Sequence, residues 1–198
     1  MENKTGFLYT FDGLDGTGKS TLLGLFNGQK INTLNTPPDW MKPYRQSFDE
    51  SGLESRFLYY ATGNVWLDKN ITRPLLEKGE IALLDRSWLS TLAAHELRGL
   101  SDEYLKIGLD MAKTCVKPET CYIIHVDKEE RKKRLLQRFN INETDKQNMA
   151  FEDTMEPAYE KWADRLGWRI SFFDNSNITQ EEAFNYLSDL IIRKNSNV

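Results

Sequence analysis

Short, densely apolar runs alternate along the chain with longer segments of helical periodicity. The apolar runs predict strands buried on both faces, and they are Phe7–Phe11, Lys30–Thr36, Ile81–Asp85, Thr120–Val126 and Trp168–Phe173. The segments with helical spacing are 19–28, 53–78, 88–99, 101–115, 128–139, 150–166 and 179–194. This alternation predicts an α/β fold, with a parallel sheet of about five strands and helices on both faces.

The whole chain, residues 1–198, is predicted to form a single domain. Its length allows one substantial core, and no repeat, low-complexity tract or Pro/Gly/Ser-rich linker divides it. Residues 139–149 are polar and only weakly periodic, and they lie between two predicted helices. This segment is predicted to be a small lid or an ordinary surface loop.

Composition and charge exclude several classes of protein. A hydrophobic fraction of 39% is too high for a disordered chain. The formal net charge of −4 and a pI near 5.4 argue against a general binder of nucleic acid or of anionic membranes. No apolar run approaches the roughly 20 residues that span a bilayer. The start of the chain lacks an apolar signal segment, and its two cysteines, Cys115 and Cys121, suit a reducing compartment, so we expect a cytoplasmic protein.

A phosphate-binding loop follows the first predicted strand. Residues 13–20, GLDGTGKS, match G-x-x-x-x-G-K-[ST] between a strand and a helix, which is the context this motif requires. The glycines let backbone N–H groups surround phosphate oxygens, and the start of the following helix adds partial positive charge. Lys19 is expected to reach the β- and γ-phosphates and Ser20 to bind Mg²⁺. The predicted ATP-binding residues are Gly13, Leu14, Asp15, Gly16, Thr17, Gly18, Lys19, Ser20 and Thr21.

The type of protein carrying this loop is narrowed by what else the chain contains. It has no N-K-x-D motif for guanine recognition, and motor ATPases generally need a longer chain, which leaves a compact kinase. The strand Ile81–Asp85 ends on a carboxylate at the edge of the sheet where ligands bind. Asp85 could hold Mg²⁺ and Arg86 could bind a phosphate, or the two could form a salt bridge at the strand end.

The sequence resembles the thymidylate kinases, a family of nucleoside monophosphate kinases. The loop region, FDGLDGTGKST at 11–21, is close to the family pattern F-[ED]-G-x-[DE]-G-x-G-K-[ST]-T. The block 71–91, ITRPLLEKGEIALLDRSWLST, is similar to the family's long helix, glycine turn and strand ending in Asp-Arg. A weaker match is Val126-Asp127 followed by Arg134 and Arg138. The resemblance implies a homodimer and assigns Arg86 to the acceptor phosphate.

The predicted helix 128–139 carries arginines that could act at the transferred phosphoryl group. Arg134 and Arg138 are four residues apart and share one helix face, and in the family such arginines lead into a lid. The phosphate loop has no arginine of its own, so another segment must supply that charge. Lys19, Arg86, Arg134 and Arg138 are therefore the predicted catalytic residues, with Arg131 a lesser candidate.

The predicted acceptor-binding residues are Asp15, Tyr59, Asn64 and Arg86. Tyr59 aligns with an aromatic residue that stacks on the acceptor base in the family, and a core position explains it equally well. Gly63 replaces an arginine that usually reads the thymine base, so we expect extra space there and a weaker preference for dTMP. Asn64 could supply an amide to the base.

These observations predict ATP- and Mg²⁺-dependent phosphorylation of a nucleoside monophosphate, with dTMP, converted to dTDP, as the expected acceptor. A deoxynucleoside kinase acting on a sugar hydroxyl is the first alternative, because Asp12 or Asp85 could serve as its general base. A module that senses ATP without turnover is the second. The presence of Lys19, Ser20, Asp85 and the arginines near the predicted lid argues against that second alternative, because a sensor has little use for all of them.

Overall fold

Five parallel strands form one sheet at the centre of the structure, a computed structural model that describes residues 6–27, 31–137 and 151–195. The strand order is β2-β3-β1-β4-β5. The strands are β1 (Phe7–Asp12), β2 (Ile31–Asn35), β3 (Ile81–Asp85), β4 (Thr120–His125) and β5 (Ile170–Asp174). The predicted parallel sheet is confirmed, with strand ends that differ from the prediction by one or two residues.

Helices connect the strands in the predicted order. They are α1 (Lys19–Leu25), α2 (Arg45–Glu50), α3 (Leu53–Leu67), α4 (Arg73–Glu77), α5 (Trp88–Glu96), α6 (Asp102–Thr114), α7 (Lys128–Leu136), α8 (Glu152–Leu166) and α9 (Gln180–Asn195). The predicted lid at 139–149 lies outside the described residues.

The helix predicted over 53–78 is in fact interrupted. A π-helical turn, Asp68–Thr72, separates α3 from α4. Pro74 lies in the first turn of α4 and has no N–H to donate, so a regular helix cannot run through this position. Asp68 accepts hydrogen bonds from the Arg73 side chain at 2.7 Å and from the Val116 N–H at 2.8 Å, which fixes the turn against the segment before β4.

The sequence analysis missed the segment between β2 and α3. A 3₁₀ helix, Asp39–Tyr44, leads directly into α2. Both helices are short, and α2 has no buried residue, so neither has the apolar face that makes a helix visible in a sequence.

Two apolar layers cover the two faces of the sheet. One is built largely from α3, α5, α6 and α8, with Phe57, Leu92 and Trp162 buried in it. The other is built from α1 and α9 against β1 and β4, with Phe11, Phe26 and Leu187 buried. The sheet therefore carries helices on both faces, as predicted.

The carboxyl ends of β1, β3 and β4 meet at one edge of the sheet. Phe11 of β1 lies opposite Asp85 of β3, and Asp12 lies opposite Ile123 of β4. The phosphate loop follows β1 at this edge, and Arg86 follows β3. The parallel arrangement thus brings both predicted functional segments together.

Candidate active site

The phosphate loop adopts a backbone that only glycine allows at its tightest points. Gly13 has φ +133°, and a Cβ there would lie 2.4 Å from the carbonyl oxygen of Ile124 in β4. Gly18 has φ +91°, and its Cβ would lie 2.7 Å from the Asn175 side-chain nitrogen. The motif glycines are therefore required by both backbone conformation and packing.

Lys19 folds back over the loop and is almost fully buried. Its Nζ donates to the carbonyl oxygen of Leu14 at 2.6 Å. Burial, together with the positive charge of Arg86, lowers the pKa of Lys19 to about 7, although nearby carboxylates act in the opposite direction. A buried cation of this kind is costly in the empty loop and is favoured when phosphate charge arrives beside it.

Ser20 and Asp85 lie together at the mouth of the loop. The Ser20 hydroxyl donates to Oδ2 of Asp85 at 2.9 Å. A hydroxyl beside a carboxylate fits Mg²⁺, which takes few protein ligands and completes its coordination with phosphate oxygens and water. Within the described ranges no group of three or more His, Cys, Asp or Glu residues could hold a metal by itself. A metal here would therefore depend on the nucleotide phosphates.

Arg86 joins the ends of β1 and β3 to the phosphate loop. Its guanidinium donates to the Gly13 carbonyl oxygen at 3.1 Å and forms an ion pair with Asp15. Burial alone would lower its pKa, but Asp15 and the other nearby acidic groups outweigh burial and raise it. Its backbone has φ +66°, a conformation that non-glycine residues rarely adopt and that marks functional positions. Arg86 is thus a permanent cation facing the loop.

Asp12, at the end of β1, has both carboxylate oxygens occupied. Oδ1 accepts from the Ser87 and Ser90 N–H groups and from the Ser90 hydroxyl at 2.6 Å. Oδ2 accepts from the hydroxyls of Thr10 and Ser87, both at 2.8 Å. The residue is fully buried and fixes the start of α5 beside the loop. A carboxylate so engaged is not placed to act as the general base that a deoxynucleoside kinase needs.

The arginines of α7 lie on the outer side of the phosphate loop. Arg131 is 2% exposed and donates to Glu152 at 2.8 Å and to the Asp15 carbonyl oxygen at 3.1 Å. Arg134 donates to Glu130 at 2.9 Å and to the Asn175 carbonyl oxygen at 2.9 Å. Neither joins Lys19 and Arg86 in the central cavity described below. Arg138 lies outside the described residues.

Asn175 is a loop-supporting residue that the sequence analysis missed. Its side-chain amide donates to the Thr17 carbonyl oxygen at 2.9 Å, and it is buried directly after β5. A signal was available, because side chains that follow the strands of a parallel sheet meet at the ligand-binding edge. The same Asn175 side chain lies beside Gly18 of the phosphate loop.

A cavity of about 660 Å³, here called the central cavity, opens from the phosphate loop toward α3 and α5. Of the predicted site residues, those lining it are Gly13, Leu14, Asp15, Gly16, Gly18, Lys19, Ser20, Thr21, Tyr59, Asp85 and Arg86. Its far end is formed by side chains that were not predicted, and the principal ones are Lys42, Arg45, Arg56, Tyr60, His95 and Arg98. One continuous space therefore connects the loop to an aromatic and basic pocket.

Two of the predicted acceptor-binding residues, Tyr59 and Asn64, donate hydrogen bonds to other groups of the protein. Tyr59 is 1% exposed, and its hydroxyl donates to the Met41 carbonyl oxygen at 3.0 Å. The Asn64 amide donates to the Tyr60 carbonyl oxygen at 3.0 Å and to the Thr91 hydroxyl at 3.1 Å, and Asn64 does not line the central cavity. Tyr60, the half-buried neighbour of Tyr59, is the more accessible aromatic at this end.

The expectation of extra space at Gly63 is wrong. A Cβ at Gly63 would lie 3.0 Å from Cβ of Pro37 and 3.3 Å from Cδ of Pro38. The glycine is therefore needed for close contact between α3 and the loop after β2.

Four residues of the central cavity that the sequence analysis missed, Arg56, Tyr60, His95 and Arg98, have a signal in their helical spacing. Arg56 and Tyr60 share a face of α3, and His95 and Arg98 are three residues apart.

Comparison with known proteins identifies the family to which this chain is related. The chain is 27% identical over 157 residues to a probable thymidylate kinase from Pyrococcus abyssi, covering 71% of this chain and 75% of that protein. It is 26% identical over 164 residues to a thymidylate kinase from Chlorobium chlorochromatii, covering 72% of this chain and 74% of that protein.

No helix in the described part of the chain is long and apolar enough to cross a membrane.

Solved structures show the same fold. The thymidylate kinase of Candida albicans aligns with a TM-score of 0.75 at 19% identity, covering 96% of this chain and 93% of that one. The enzyme of Ehrlichia chaffeensis aligns with a TM-score of 0.67 at 17% identity, covering 95% and 99%. The family model described as thymidylate kinase matches residues 11–182, which is most of the chain. Because this match covers well over half of the chain, the protein belongs to the thymidylate kinase family.

Proposed function

We propose that this protein transfers the γ-phosphoryl group of ATP to the 5′-phosphate of dTMP, which yields dTDP and ADP. The observation that carries the proposal is the central cavity, because it joins the phosphate loop to an aromatic and basic pocket in one continuous space. A kinase must hold donor and acceptor side by side and exclude water between them. The family match supports dTMP as the acceptor.

The residues around the loop suit a reaction without a protein nucleophile. An acceptor phosphate oxygen attacks the γ-phosphorus, and the bond from that phosphorus to the bridging oxygen of ADP breaks. Lys19 supplies positive charge on the donor side, and Arg86 supplies it where donor and acceptor meet. Asp15 keeps Arg86 in place, and Asn175 and Arg131 hold the loop backbone. The protein thus contributes positioning and charge neutralisation.

Mg²⁺ is the cofactor that fits the described donor set. Ser20 and Asp85 would hold it, directly or through water, beside the donor phosphates. The ion would neutralise charge on the β- and γ-phosphates and orient them. Arg134, beside Gly18 and Asn175, supports the donor side of the loop in this proposal.

The first alternative, a deoxynucleoside kinase, is less well supported. It needs a carboxylate free to accept the proton of a sugar hydroxyl. Both oxygens of Asp12 are engaged with the start of α5, and Asp85 accepts from Ser20. The monophosphate reaction has no such requirement, because an acceptor phosphate is already deprotonated enough to attack.

An ADP-release assay with thymidine, dTMP, dUMP, dCMP, CMP and AMP as acceptors tests the proposal directly. We expect Mg²⁺-dependent turnover with dTMP and none with thymidine. Lys19→Ala protein provides the control for contaminating kinases. Turnover with thymidine but not with dTMP would establish the alternative, and ATP binding without any turnover would establish the sensing module. The homodimer and the cytoplasmic location remain predictions, and the first is checked by light scattering of the purified protein.

A further inference from the structure

Besides Arg86, two side chains from outside the phosphate-loop motif hold carbonyl oxygens of the loop. Arg131 of α7 donates to the Asp15 carbonyl oxygen at 3.1 Å, and Asn175, directly after β5, donates to the Thr17 carbonyl oxygen at 2.9 Å. The paired residues are 116 and 158 positions apart in the chain. Distant segments therefore help to set the backbone of the loop.

Each of these contacts also fixes the direction of the next N–H group. Across a trans peptide bond, the carbonyl group and the following N–H point in opposite directions. The Thr17 carbonyl points to Asn175, so the N–H of Gly18 points away from it, and the contact of Arg131 orients the N–H of Gly16 in the same way. Both glycines are among the described residues that line the central cavity, whereas Arg131 and Asn175 are not. The two N–H groups are thus directed toward the cavity side of the loop.

No protein group uses these two N–H groups. Among the residues that the structure describes, no hydrogen bond engages the backbone nitrogen of Gly16 or of Gly18. Successive backbone N–H groups in such a loop surround the oxygens of an anion. Donors that already have the bound orientation require no reorganisation when the charge arrives. The two side-chain contacts therefore prepare two donors for a phosphate group.

Arg131 is itself held firmly beside the loop. It is 2% exposed, and its Nε donates to the carboxylate of Glu152 in α8 at 2.8 Å. A Cβ at Gly16 would lie 3.2 Å from Cγ of Arg131, so the aliphatic part of the side chain packs directly on the loop. This geometry suits a support of the loop backbone better than a cation at the transferred phosphoryl group.

Asn175 is fixed by contacts on both sides of its backbone. Its N–H donates to the His125 carbonyl oxygen at 2.9 Å, and its own carbonyl oxygen accepts from Arg134 at 2.9 Å. The residue is buried, and its Nδ2 would lie 2.7 Å from a Cβ at Gly18. The end of β4 and α7 thus determine how the Asn175 amide approaches Thr17.

We infer that Arg131 and Asn175 are positioning residues that set the affinity of the phosphate loop for the triphosphate of the donor. They act through the N–H groups of Gly16 and Gly18 and not by contact with the nucleotide. The inference rests on the proposed use of ATP as the donor, and it concerns the donor alone. A role confined to the stability of the fold predicts no difference between donor and acceptor.

The test measures the binding of inorganic triphosphate by calorimetry, and KM for ATP and for dTMP, in the parent, Asn175→Leu and Arg131→Met. Both substitutions remove the hydrogen-bond donor and keep a side chain of similar length. We expect the triphosphate affinity to fall, and KM for ATP to rise, about tenfold in each variant, with KM for dTMP changed less than about twofold. Because Asn175 is neutral, its effect cannot come from a lost charge.

Asn70→Leu and Arg73→Met are the matched controls. The Asn70 amide donates to a backbone carbonyl oxygen of α3, and Arg73 joins a carboxylate to a backbone carbonyl oxygen. They repeat the contacts of Asn175 and Arg131 at positions outside the phosphate loop. Both control variants should keep the triphosphate affinity of the parent, even where they lower the free energy of unfolding.

An arm that needs no variant follows N–H signals of the parent by NMR. Inorganic triphosphate should shift the backbone N–H signals of Gly16 and Gly18. A side-chain N–H of Asn175 should exchange slowly with solvent already in the free protein, because its bond to Thr17 forms before the ligand arrives. Slow exchange only in the presence of triphosphate would show that the loop is not prepared in advance, and would overturn the inference.

Two further results would overturn the inference. Equal rises in KM for ATP and dTMP, or triphosphate affinities no lower than those of the controls, would show that Arg131 and Asn175 act only on the fold. Glycine N–H signals that do not respond to triphosphate would show that Gly16 and Gly18 are not its donors. A parent that binds triphosphate as expected but phosphorylates no monophosphate would overturn the proposed function and leave the roles of Arg131 and Asn175 standing.

Discussion

The hydroxyl of Ser20 donates to the carboxylate of Asp85 at 2.9 Å, although the two residues are 65 positions apart in the chain. Ser20 opens α1 after the phosphate loop, and Asp85 ends β3. Parallel pairing of β1 with β3 is what brings them together. This contact is the structural basis for the metal site in the proposed reaction.

Asp85→Asn tests that site with little change in shape. The amide oxygen can still accept from Ser20, but it lacks the charge that attracts Mg²⁺. We expect kcat to fall about 10²–10³-fold and the Mg²⁺ concentration needed for half-maximal activity to rise. Glu80→Gln removes a carboxylate before the other end of β3, where Asn32 donates to it, and should leave both quantities unchanged. Unaltered Mg²⁺ dependence in Asp85→Asn would contradict the assignment.

Lys19→Met should separate activity from stability. Loss of the loop cation should lower kcat at least about 10³-fold. The empty protein should become about 1–2 kcal/mol more stable, because a buried cation whose pKa is lowered to about 7 no longer has to be desolvated. Urea unfolding without nucleotide measures this. Lys106→Met, at an exposed position of α6, is the control, and an unfolding free energy lowered by Lys19→Met would count against the argument.

Asp12→Asn should destabilise the fold more than any exposed carboxylate change. An amide at this position places N–H groups against the N–H and hydroxyl donors of Ser87 and Ser90. We expect a loss of about 2–4 kcal/mol in the free energy of unfolding, since a buried network is left partly unpaired. Asp39→Asn, whose side chain is 77% exposed, should change it by less than about 0.5 kcal/mol. Similar values for both variants would refute this role of Asp12.

Gly63→Ala should weaken the contact between α3 and the loop after β2. The new methyl group would meet Cβ of Pro37 at 3.0 Å, and we expect a loss of about 1–2 kcal/mol despite the better helix propensity of alanine. Gly24→Ala in α1 is a matched control, because nothing lies within 4 Å of the added Cβ. That change should stabilise the protein by about 0.5–1 kcal/mol. Thermal unfolding of the two variants side by side decides between packing and propensity.

His95 should make stability depend on pH between about 4 and 6.5. The unfolded chain takes up a proton at its ordinary pKa of 6.5, whereas burial keeps the folded pKa near 4. Stability is therefore fully present above pH 6.5 and is lost as pH falls toward 4, by about 3 kcal/mol at the limit. His95→Gln removes this contribution. The difference in unfolding free energy between parent and variant should change with pH in this range, and a constant difference would contradict a buried neutral ring.

The local chemistry of this protein could be predicted from its sequence alone. The phosphate loop, Lys19 and Ser20 are contiguous, so their relation is set by covalent neighbours and by glycine backbones. The strands are short apolar runs, and parallel pairing places their carboxyl ends at one edge, which was enough to place Asp85 and Arg86 at the loop. Periodicity also gave the helices on both faces, except where Pro74 and the short segment 39–50 interrupt the pattern.

Only the tertiary structure decided which side chains line the end of the central cavity away from the phosphate loop. Which face of α3 meets which face of α5 depends on the packing of the whole core, and this decides that Tyr60 and His95 line the space while Asn64 does not. A glycine at position 63 suggests open space in the sequence, but in the fold Pro37 lies against it. A side chain's hydrogen-bond state depends on partners far away in the chain. Both carboxylate oxygens of Asp12 are therefore engaged, and Nε2 of His95 has no hydrogen-bond partner among the described residues, for reasons that no local pattern contains.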